Sequence, residues 1–414
     1  MEDRSFDQLL CSPSASRPVV LEGRWLARAP SRRAWSAVDP VSVLEGSAEA
    51  LEEIPAWLAS HLQQFPHGAA IGFLSYELAR FFERLPLSPD PQIPDLSFAY
   101  YPRIGISACP EAAGGQRFRM GMRDAREYFD ELQFTRDVEN IRRYIAAGDI
   151  YQANLTQQVT VPLEDQSAES IYERLGKGGA SFRAFLKTPH GTIVSDSPER
   201  FFHVSGGRIL TSPIKGTMAR SADLARDARQ AAHLLASGKD RAENLMIVDL
   251  LRNDLGRICC YESIQTRLWE LDVLPHLYHL VSDVQGRLKP GVGVLEILRA
   301  LFPCGSITGA PKIRAMEILA EIEQRRRGVS MGAIGIIRGV PGTESCEMDF
   351  SVAIRTMLVR SSEAVFNVGG GIVYDSVPGA EFEEMVLKAS PLLDALASLE
   401  VVERRAVEAH ALRR

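Results

Sequence analysis

The sequence predicts a folded protein of the α+β or α/β class, and three observations lead to that prediction. Runs with strand character alternate with segments of helical spacing along the second half of the chain. Of the 414 residues, 45 % are apolar and 24 % are charged, which is enough to bury domain-sized cores. No internal repeat is visible. The strand runs cover residues 191–212, 332–340, 351–360 and 364–374, and the helical segments cover 239–255, 310–324 and 378–396.

Charge and composition exclude several classes of protein. The 47 Lys and Arg residues face 53 Asp and Glu residues, so the net charge of -6 leaves no basic surplus for a nucleic-acid partner. The N-terminus is acidic and no apolar stretch approaches the ~20 residues of a membrane span, so we expect a cytoplasmic protein without membrane contact. The six cysteines lack the spacing of a zinc site and are expected to be free thiols.

The first part of the chain is irregular in pattern. Five prolines between Pro86 and Pro102 predict a long surface loop or a sheet edge. Helical spacing then begins, with Val138, Ile141 and Ile145 on one face and Gly148 at the end. We therefore place a boundary near residue 130, with an N-terminal region over 1–130, a second region over 131–400 and a tail over 401–414.

A two-residue turn predicts a hairpin around Gly206 and Gly207, because glycine readily supplies the positive φ angles of such a turn. The resulting ladder places residue 205 opposite 208 and residue 202 opposite 211. Extended further, it brings Glu199 opposite Ile214 and within reach of Lys215. This carboxyl and this amine could form an ordinary surface ion pair. The surrounding Pro, Ile and Gly residues equally suit an amine whose pKa is lowered by desolvation.

Two pairs of acids have the i, i+3 spacing that puts both members on one helical face. They are Asp240 with Glu243, and Glu381 with Glu384. Acids are favoured in the first turn of any helix, and Glu384 with Lys388 is an ordinary i, i+4 pair. The alternative is that the two pairs face one another and share a hard divalent cation such as Mg²⁺.

Glycines mark two further segments. Gly369, Gly370 and Gly371 interrupt a strand-like run, which indicates close approach of another backbone or of an anionic ligand. Residues 303–312 form a loop rich in Gly, Ser and Thr that leads into a helix and could present amides to a carboxylate. Neither segment matches a P-loop or a dinucleotide-binding fingerprint, so nucleotide binding has no support.

Taken together, the motifs from about residue 136 to 396 resemble those of the chorismate-utilising enzymes. The resemblance implies two stacked antiparallel β-sheets wrapped by helices, an α+β fold, with the active site between them. The motifs are Ser197-Pro-Glu-Arg-Phe201, Pro213-Ile-Lys-Gly-Thr217, Ile247-Val-Asp-Leu-Leu-Arg-Asn-Asp254, His279-Leu-Val-Ser282, Gly305-Ser-Ile-Thr-Gly-Ala-Pro-Lys312, Ala353-Ile-Arg355 and Gly369-Gly-Gly-Ile-Val373.

The resemblance also implies a chemistry. A lysine at position 215 is typical of the members that aminate chorismate at C4, whereas members that make anthranilate or salicylate usually have alanine there. It implies that the amine of Lys215 attacks C2 of chorismate while Glu199 protonates the departing 4-hydroxyl, and that ammonia then displaces the lysine. The product would be 4-amino-4-deoxychorismate, a precursor of 4-aminobenzoate and folate.

The remaining site residues follow from the same resemblance. It implies a third active-site residue in His279 and a Mg²⁺ ion held chiefly by Glu243 and Glu384. Met331 departs from the family, because relatives commonly have a tyrosine there. The implied substrate contacts are Gly216, Thr217, Arg355, Gly369, Gly370, Gly371 and Lys312, and the implied metal face is Asp240, Glu243, Glu381 and Glu384.

Ammonia needs a source that this sequence does not contain. No cysteine lies in a G-x-C-x-G nucleophile elbow, so the resemblance implies a separate glutamine amidotransferase subunit.

Two alternatives to this function stay open. One is a family member that makes anthranilate, against which Lys215 argues, and the other is a non-catalytic protein that only binds chorismate, against which the full set of site residues argues.

Overall fold

The protein is described by a computed structural model, which covers residues 15–27, 32–109, 125–164, 166–176, 180–274, 277–340, 343 and 345–397. The predicted tail at 401–414 lies outside these residues. The described residues form two large antiparallel β-sheets with helices packed on them. None of the described helices is long and apolar enough to cross a bilayer.

The first sheet has nine strands in the order β15-β7-β19-β18-β9-β8-β1-β2-β6. Its strands are β1 (Val19–Gly23), β2 (Arg33–Ala37), β6 (Gly105–Ala108), β7 (Gln152–Pro162), β8 (Phe182–Thr188), β9 (Gly191–Ser197), β15 (Gly309–Ala310), β18 (Thr356–Val359) and β19 (Glu363–Ile372).

The second sheet has ten strands: nine follow the order β12-β14-β11-β10-β17-β16-β4-β5-β3, and the tenth, β13, pairs with β14 outside that order. The strands are β3 (Ser42–Gly46), β4 (Ala69–Leu74), β5 (Leu96–Tyr101), β10 (Arg200–Ser205), β11 (Arg208–Ser212), β12 (Ile214–Ala219), β13 (Gln265–Val273), β14 (Leu277–Arg287), β16 (Ala333–Gly339) and β17 (Cys346–Val352).

Helices cover the outer face of each sheet, so the molecule has four layers. Helices α1, α5 and α6 pack on the ten-stranded sheet, and helices α2, α3, α7 and α8 pack on the nine-stranded sheet. A third apolar cluster fills the space between the two sheets, which is why β4 and β5 are buried along their whole length. The helices are α1 (Ala48–Gln64), α2 (Glu131–Ala146), α3 (Ala168–Leu175), α4 (Leu224–Ala236), α5 (Gly238–Ile258), α6 (Val294–Leu301), α7 (Lys312–Glu323) and α8 (Pro378–Leu396).

The sequence prediction for the N-terminal part was wrong in one respect. Residues 84–95 form a loop, as the prolines indicate, but the strand β5 then fits between Pro94 and Pro102. It lies inside the sheet between β4 and β3, because these prolines flank the strand and leave its own amides free to pair. The boundary near residue 130 stays a prediction; strands from both sides of it share both sheets.

Candidate active site

Most of the predicted site residues lie near the edge at which each of the two sheets ends. Strands β15, β7 and β19 end the nine-stranded sheet, and β12 and β14 end the ten-stranded sheet. Helices α5 and α8 pack against β12 and β19 respectively. The site is therefore built from both sheets and from the two helices that carry the acid pairs.

The hairpin predicted around Gly206 and Gly207 is confirmed near its turn. Both glycines have positive φ, of 57° and 68°, and residue 205 lies opposite 208. The register then shifts between Arg200 and His203, so that Arg200 pairs with Ser212. The predicted pairing of residue 202 with 211 and of Glu199 with Ile214 was therefore wrong, because the register shifts and the ladder stops at Arg200.

Glu199 and Lys215 nevertheless lie in the same surroundings, since the charge of each acts on the pKa of the other. Burial raises the pKa of the Glu199 carboxyl to about 7, while Ser306, Lys215 and the Ile214 backbone act in the opposite direction. Within the described chain, Glu199 Oε1 is buried without a hydrogen-bond partner. A carboxyl with a pKa of about 7 is partly protonated at neutral pH, and its protonated form can donate to a ligand.

Lys215 has the desolvated setting that a nucleophilic amine requires. Burial lowers the pKa of the Lys215 amine, and the charge of Lys388 lowers it further. The charges of Glu243, Glu199 and Glu384 act against this lowering. A neutral amine is the reactive form of lysine, so this environment favours nucleophilic attack.

Gln152 is a site residue that the sequence analysis missed. Its side chain is fully buried, and both of its amide atoms lack a hydrogen-bond partner among the described residues. A Cβ built on Gly371 would overlap Gln152 Nε2 and lie 3.4 Å from Lys215 Nζ, so these three residues converge. A buried amide without a partner is costly, so a bound ligand or water would have to complete its hydrogen bonds.

His279 and Thr217 face each other across β12 and β14. Their side chains hydrogen-bond through Thr217 Oγ1 and His279 Nδ1 at 2.9 Å, and His279 Nε2 is buried with no described partner. Burial, helped by the Arg355 charge, lowers the pKa of His279 to about 4. The imidazole is therefore neutral at pH 7.

Arg355 belongs to the same surroundings and has an unusual backbone. It lies in the left-handed region, with φ of 48°, and its carbonyl accepts a hydrogen bond of 3.1 Å from the Asp196 amide. Burial lowers the pKa of Arg355, and the charge of Asp196 opposes that effect. A desolvated guanidinium is well suited to bind a carboxylate.

The two acid pairs lie on α5 and α8 as predicted. Burial raises the pKa of Glu243; the Lys215 and Lys239 charges oppose it, and the Asp240 and Glu384 charges add to it. The charge of Glu384 on α8 therefore acts on Glu243 of α5, so the two acid pairs face a common space. On α8, Glu381 Oε1 accepts a hydrogen bond of 2.7 Å from Ser376 Oγ.

This set of carboxylates suits a hard cation in its donor chemistry, because Mg²⁺ prefers carboxylate oxygens and retains several waters. No three described His, Cys, Asp or Glu side chains stand close enough together to form a ready metal site. The acids have ammonium partners instead: Lys239 Nζ lies 3.9 Å from Glu243 Oε1, and Lys388 Nζ lies 2.7 Å from Glu384 Oε1.

The glycines predicted as substrate contacts border the same space. A Cβ on Gly216 would lie 2.9 Å from Asp240 Cγ, and one on Gly370 would lie 3.4 Å from Lys388 Nζ. A Cβ on Gly369 would overlap the Leu155 carbonyl oxygen of the neighbouring strand β7. A side chain at Gly216 would crowd helix α5, and one at Gly369 would clash with strand β7.

Two predicted residues lie in other surroundings. The ammonium of Lys312 donates to Asp254 Oδ2 at 2.7 Å and to the Leu301 carbonyl at 2.9 Å, so it holds α7 against α5. Its assignment as a substrate contact stays a prediction that this geometry does not favour. Met331 is buried in the apolar core beneath the ten-stranded sheet, with φ of 73°.

With this geometry described, comparison with known proteins decides the family. Residues 25–394 match the family described as chorismate binding enzyme. The chain belongs to that family. The resemblance stated from the motifs is thereby confirmed.

Relatives of this chorismate-binding enzyme carry two different names. Over 388 residues it is 35 % identical to aminodeoxychorismate synthase component 1 of Salmonella typhimurium, which covers 86 % of this chain and 82 % of that one. Over 439 residues it is 32 % identical to anthranilate synthase component 1 of Streptomyces coelicolor, which covers 94 % and 85 %. These two sequence identities differ too little to decide which member of the family this chain is.

Solved structures confirm the α+β fold with two antiparallel sheets. The crystal structure of anthranilate synthase component I from Streptococcus pneumoniae superimposes with a TM-score of 0.72 at 27 % identity, covering 88 % of this chain and 93 % of that one. The menaquinone-specific isochorismate synthase MenF of Escherichia coli matches with a TM-score of 0.71 at 16 % identity, covering 96 % and 92 %.

Proposed function

We propose that this chorismate-binding enzyme is an aminodeoxychorismate synthase component I, which converts chorismate and ammonia to 4-amino-4-deoxychorismate for 4-aminobenzoate and folate synthesis. The observation that carries the proposal is the placement of Lys215 and Glu199 in one buried site, where the charge of each acts on the other. One is an amine whose pKa is lowered by burial, and the other is a carboxyl whose pKa burial raises to about 7. A lysine nucleophile and a carboxylic acid are the two groups that this amination requires.

In the first step, the neutral Lys215 amine forms a bond to C2 of chorismate. Both double bonds of the conjugated ring diene shift, the C4–O bond breaks, and the hydroxyl takes the Glu199 proton and leaves as water. In the second step, ammonia forms a bond to C4, both double bonds shift back, and the C2–Nζ bond breaks. Overall, one ammonia enters and one water leaves, and Lys215 and Glu199 return to their starting states once the protons are redistributed.

The other residues bind and orient the substrate in this proposal. Arg355 binds a carboxylate of chorismate, and the unpartnered amide of Gln152 beside Lys215 Nζ completes its hydrogen bonds with the reactants. The neutral His279 offers Nε2 to the ligand while Thr217 fixes its ring. Bound Mg²⁺, held by Glu243 and Glu384, would supply positive charge that anchors the ring carboxylate.

The proposed source of ammonia is a glutamine amidotransferase partner. Relatives are named component 1, which suggests a second subunit. The sequence also lacks the G-x-C-x-G elbow of a glutaminase. We therefore propose that ammonia reaches this site from another chain.

Incubation with chorismate and Mg²⁺ but no ammonia tests the proposal. We expect the adduct to accumulate, because only water competes to displace the lysine, and intact-mass analysis should show one chorismate less one water. Peptide mapping should place that mass on Lys215. Lys215→Arg keeps a permanent positive charge and should form no adduct, whereas Lys187→Arg, at an exposed lysine on β8, should form it normally.

The product identifies the family member. With ammonium supplied, we expect 4-amino-4-deoxychorismate from the parent protein and none from Lys215→Arg. Anthranilate as the product would favour the second candidate, anthranilate synthase component I, the name carried by the Streptomyces coelicolor relative. Production of 4-amino-4-deoxychorismate by Lys215→Arg at the parent rate would show that ammonia attacks chorismate directly.

A further inference from the structure

Lys388 makes contacts that an ordinary i, i+4 surface pair does not make. Its ammonium lies 2.7 Å from Glu384 Oε1 and also donates to the Gly369 carbonyl oxygen at 3.3 Å. Glu384 lies on the same helix, α8, whereas Gly369 lies on strand β19. The ammonium therefore bridges the proposed metal face and the glycine run that borders the site.

The charges around this ammonium suggest what it does there. The charge of Glu384 acts on Glu243 of α5. Each of these carboxylates has a lysine partner on its own helix. Two facing carboxylates would repel each other without these cations. A divalent cation would satisfy the same need, but a dication and an ammonium on one carboxylate also repel each other.

We propose that Lys388 is an exchangeable internal counter-ion of Glu384, which the ammonium neutralises until a divalent cation takes its place. The proposal rests on the metal site proposed above. The Gly369 carbonyl is the second partner that keeps the displaced ammonium beside the site. Lys388 thus lowers the affinity of the empty site for the metal, because the metal must first displace the ammonium from Glu384.

Direct binding of Mn²⁺ tests this exchange without any turnover. Free Mn²⁺ is counted by its electron paramagnetic resonance signal as the substrate-free protein is titrated at constant ionic strength. Lys388→Met keeps the side-chain length and removes the charge, so it should bind Mn²⁺ roughly two- to fivefold more tightly than the parent. Lys388→Arg keeps the charge and should bind like the parent.

A matched control shows whether loss of any lysine charge has the same effect. Lys187 lies 3.8 Å from Glu169 in another lysine–glutamate pair, so Lys187→Met should leave Mn²⁺ affinity unchanged. Circular dichroism melts would confirm that each variant is folded. Unchanged or weaker binding by Lys388→Met would overturn the exchange and leave the metal site standing, whereas absence of Mn²⁺ binding by the parent protein would overturn both.

Discussion

At the scale of single residues, the site combines two groups whose pKa values are shifted toward each other. Burial raises the pKa of Glu199 and lowers that of Lys215, so both side chains are more often neutral than they would be in water. Their charges would stabilise each other if both ionised. The pH at which adduct formation is fastest therefore reports the balance between desolvation and ion pairing.

The Glu199 carboxyl should set the alkaline limit of adduct formation. A general acid works in its protonated form, which is present below its pKa of about 7 and is lost as the pH rises through that value. The single-turnover rate of Lys215 adduct formation, measured by quenched-flow mass analysis without ammonia, should fall above pH ~7. Glu199→Gln should lower the rate by roughly 10²- to 10⁴-fold and remove that alkaline limb. An unchanged alkaline limb in this variant would assign the proton to another group.

At the scale of elements, the backbone of β12 positions the nucleophile. Gly216 follows Lys215 with φ of 86°, and the pairing of β12 with β14 is irregular between Ile214 and Thr217. A Cβ at Gly216 would lie 2.9 Å from Asp240 Cγ, so this glycine also lets helix α5 approach the strand. The glycine therefore fixes where the Lys215 side chain leaves the sheet.

Gly216→Ala should be tested beside Gly206→Ala, which has a positive φ of 57° but open space around its Cβ position. Both variants should lose about 1 kcal/mol of stability through backbone strain, and Gly216→Ala should lose more because of the contact with Asp240. Only Gly216→Ala should slow adduct formation. Thermal unfolding and the adduct rate measure the two effects, and equal adduct rates would contradict this role of Gly216.

Local sequence patterns predicted the individual strands, turns and helices better than they predicted which of these elements contact one another. The turn at Gly206 and Gly207 and the helix carrying Glu243 follow from short-range rules. Neither the register shift between Arg200 and His203 nor the convergence of Gln152 with Gly371 has a local signal. Gln152 enters the site because β7 pairs with β19, which lies far along the chain.

At the scale of the whole molecule, the region before residue 130 completes the sheets that hold the site. Strand β4 pairs with β16, and β1 pairs with β8, so each sheet is continuous across the predicted boundary. Such long-range pairings cannot be derived from local spacing, although the resemblance to a known family implied the layers. We expect the regions on either side of the boundary to unfold together.

Arg327 joins the N-terminal region to the rest of this fold. Its amide donates to Glu77 Oε1 at 2.7 Å, its guanidinium pairs with Glu323 at 2.7 Å, and it also donates to the Ile307 and Asn154 carbonyls. The side chain is only 2 % exposed. Burial raises the pKa of the neighbouring Glu77 carboxyl to about 7, and hydrogen bonds from the Arg327 and Gly328 amides oppose that shift.

Removal of this guanidinium should destabilise the whole molecule. Arg327→Met leaves Glu323 as a buried acid without its ion-pair partner and should cost about 3–5 kcal/mol. Arg326→Met, at an exposed neighbouring position, should change stability by less than about 0.5 kcal/mol. Calorimetry should show one unfolding transition in all three proteins, shifted to a lower temperature only in Arg327→Met. A separate early transition in that variant would instead show that the region before residue 130 unfolds independently.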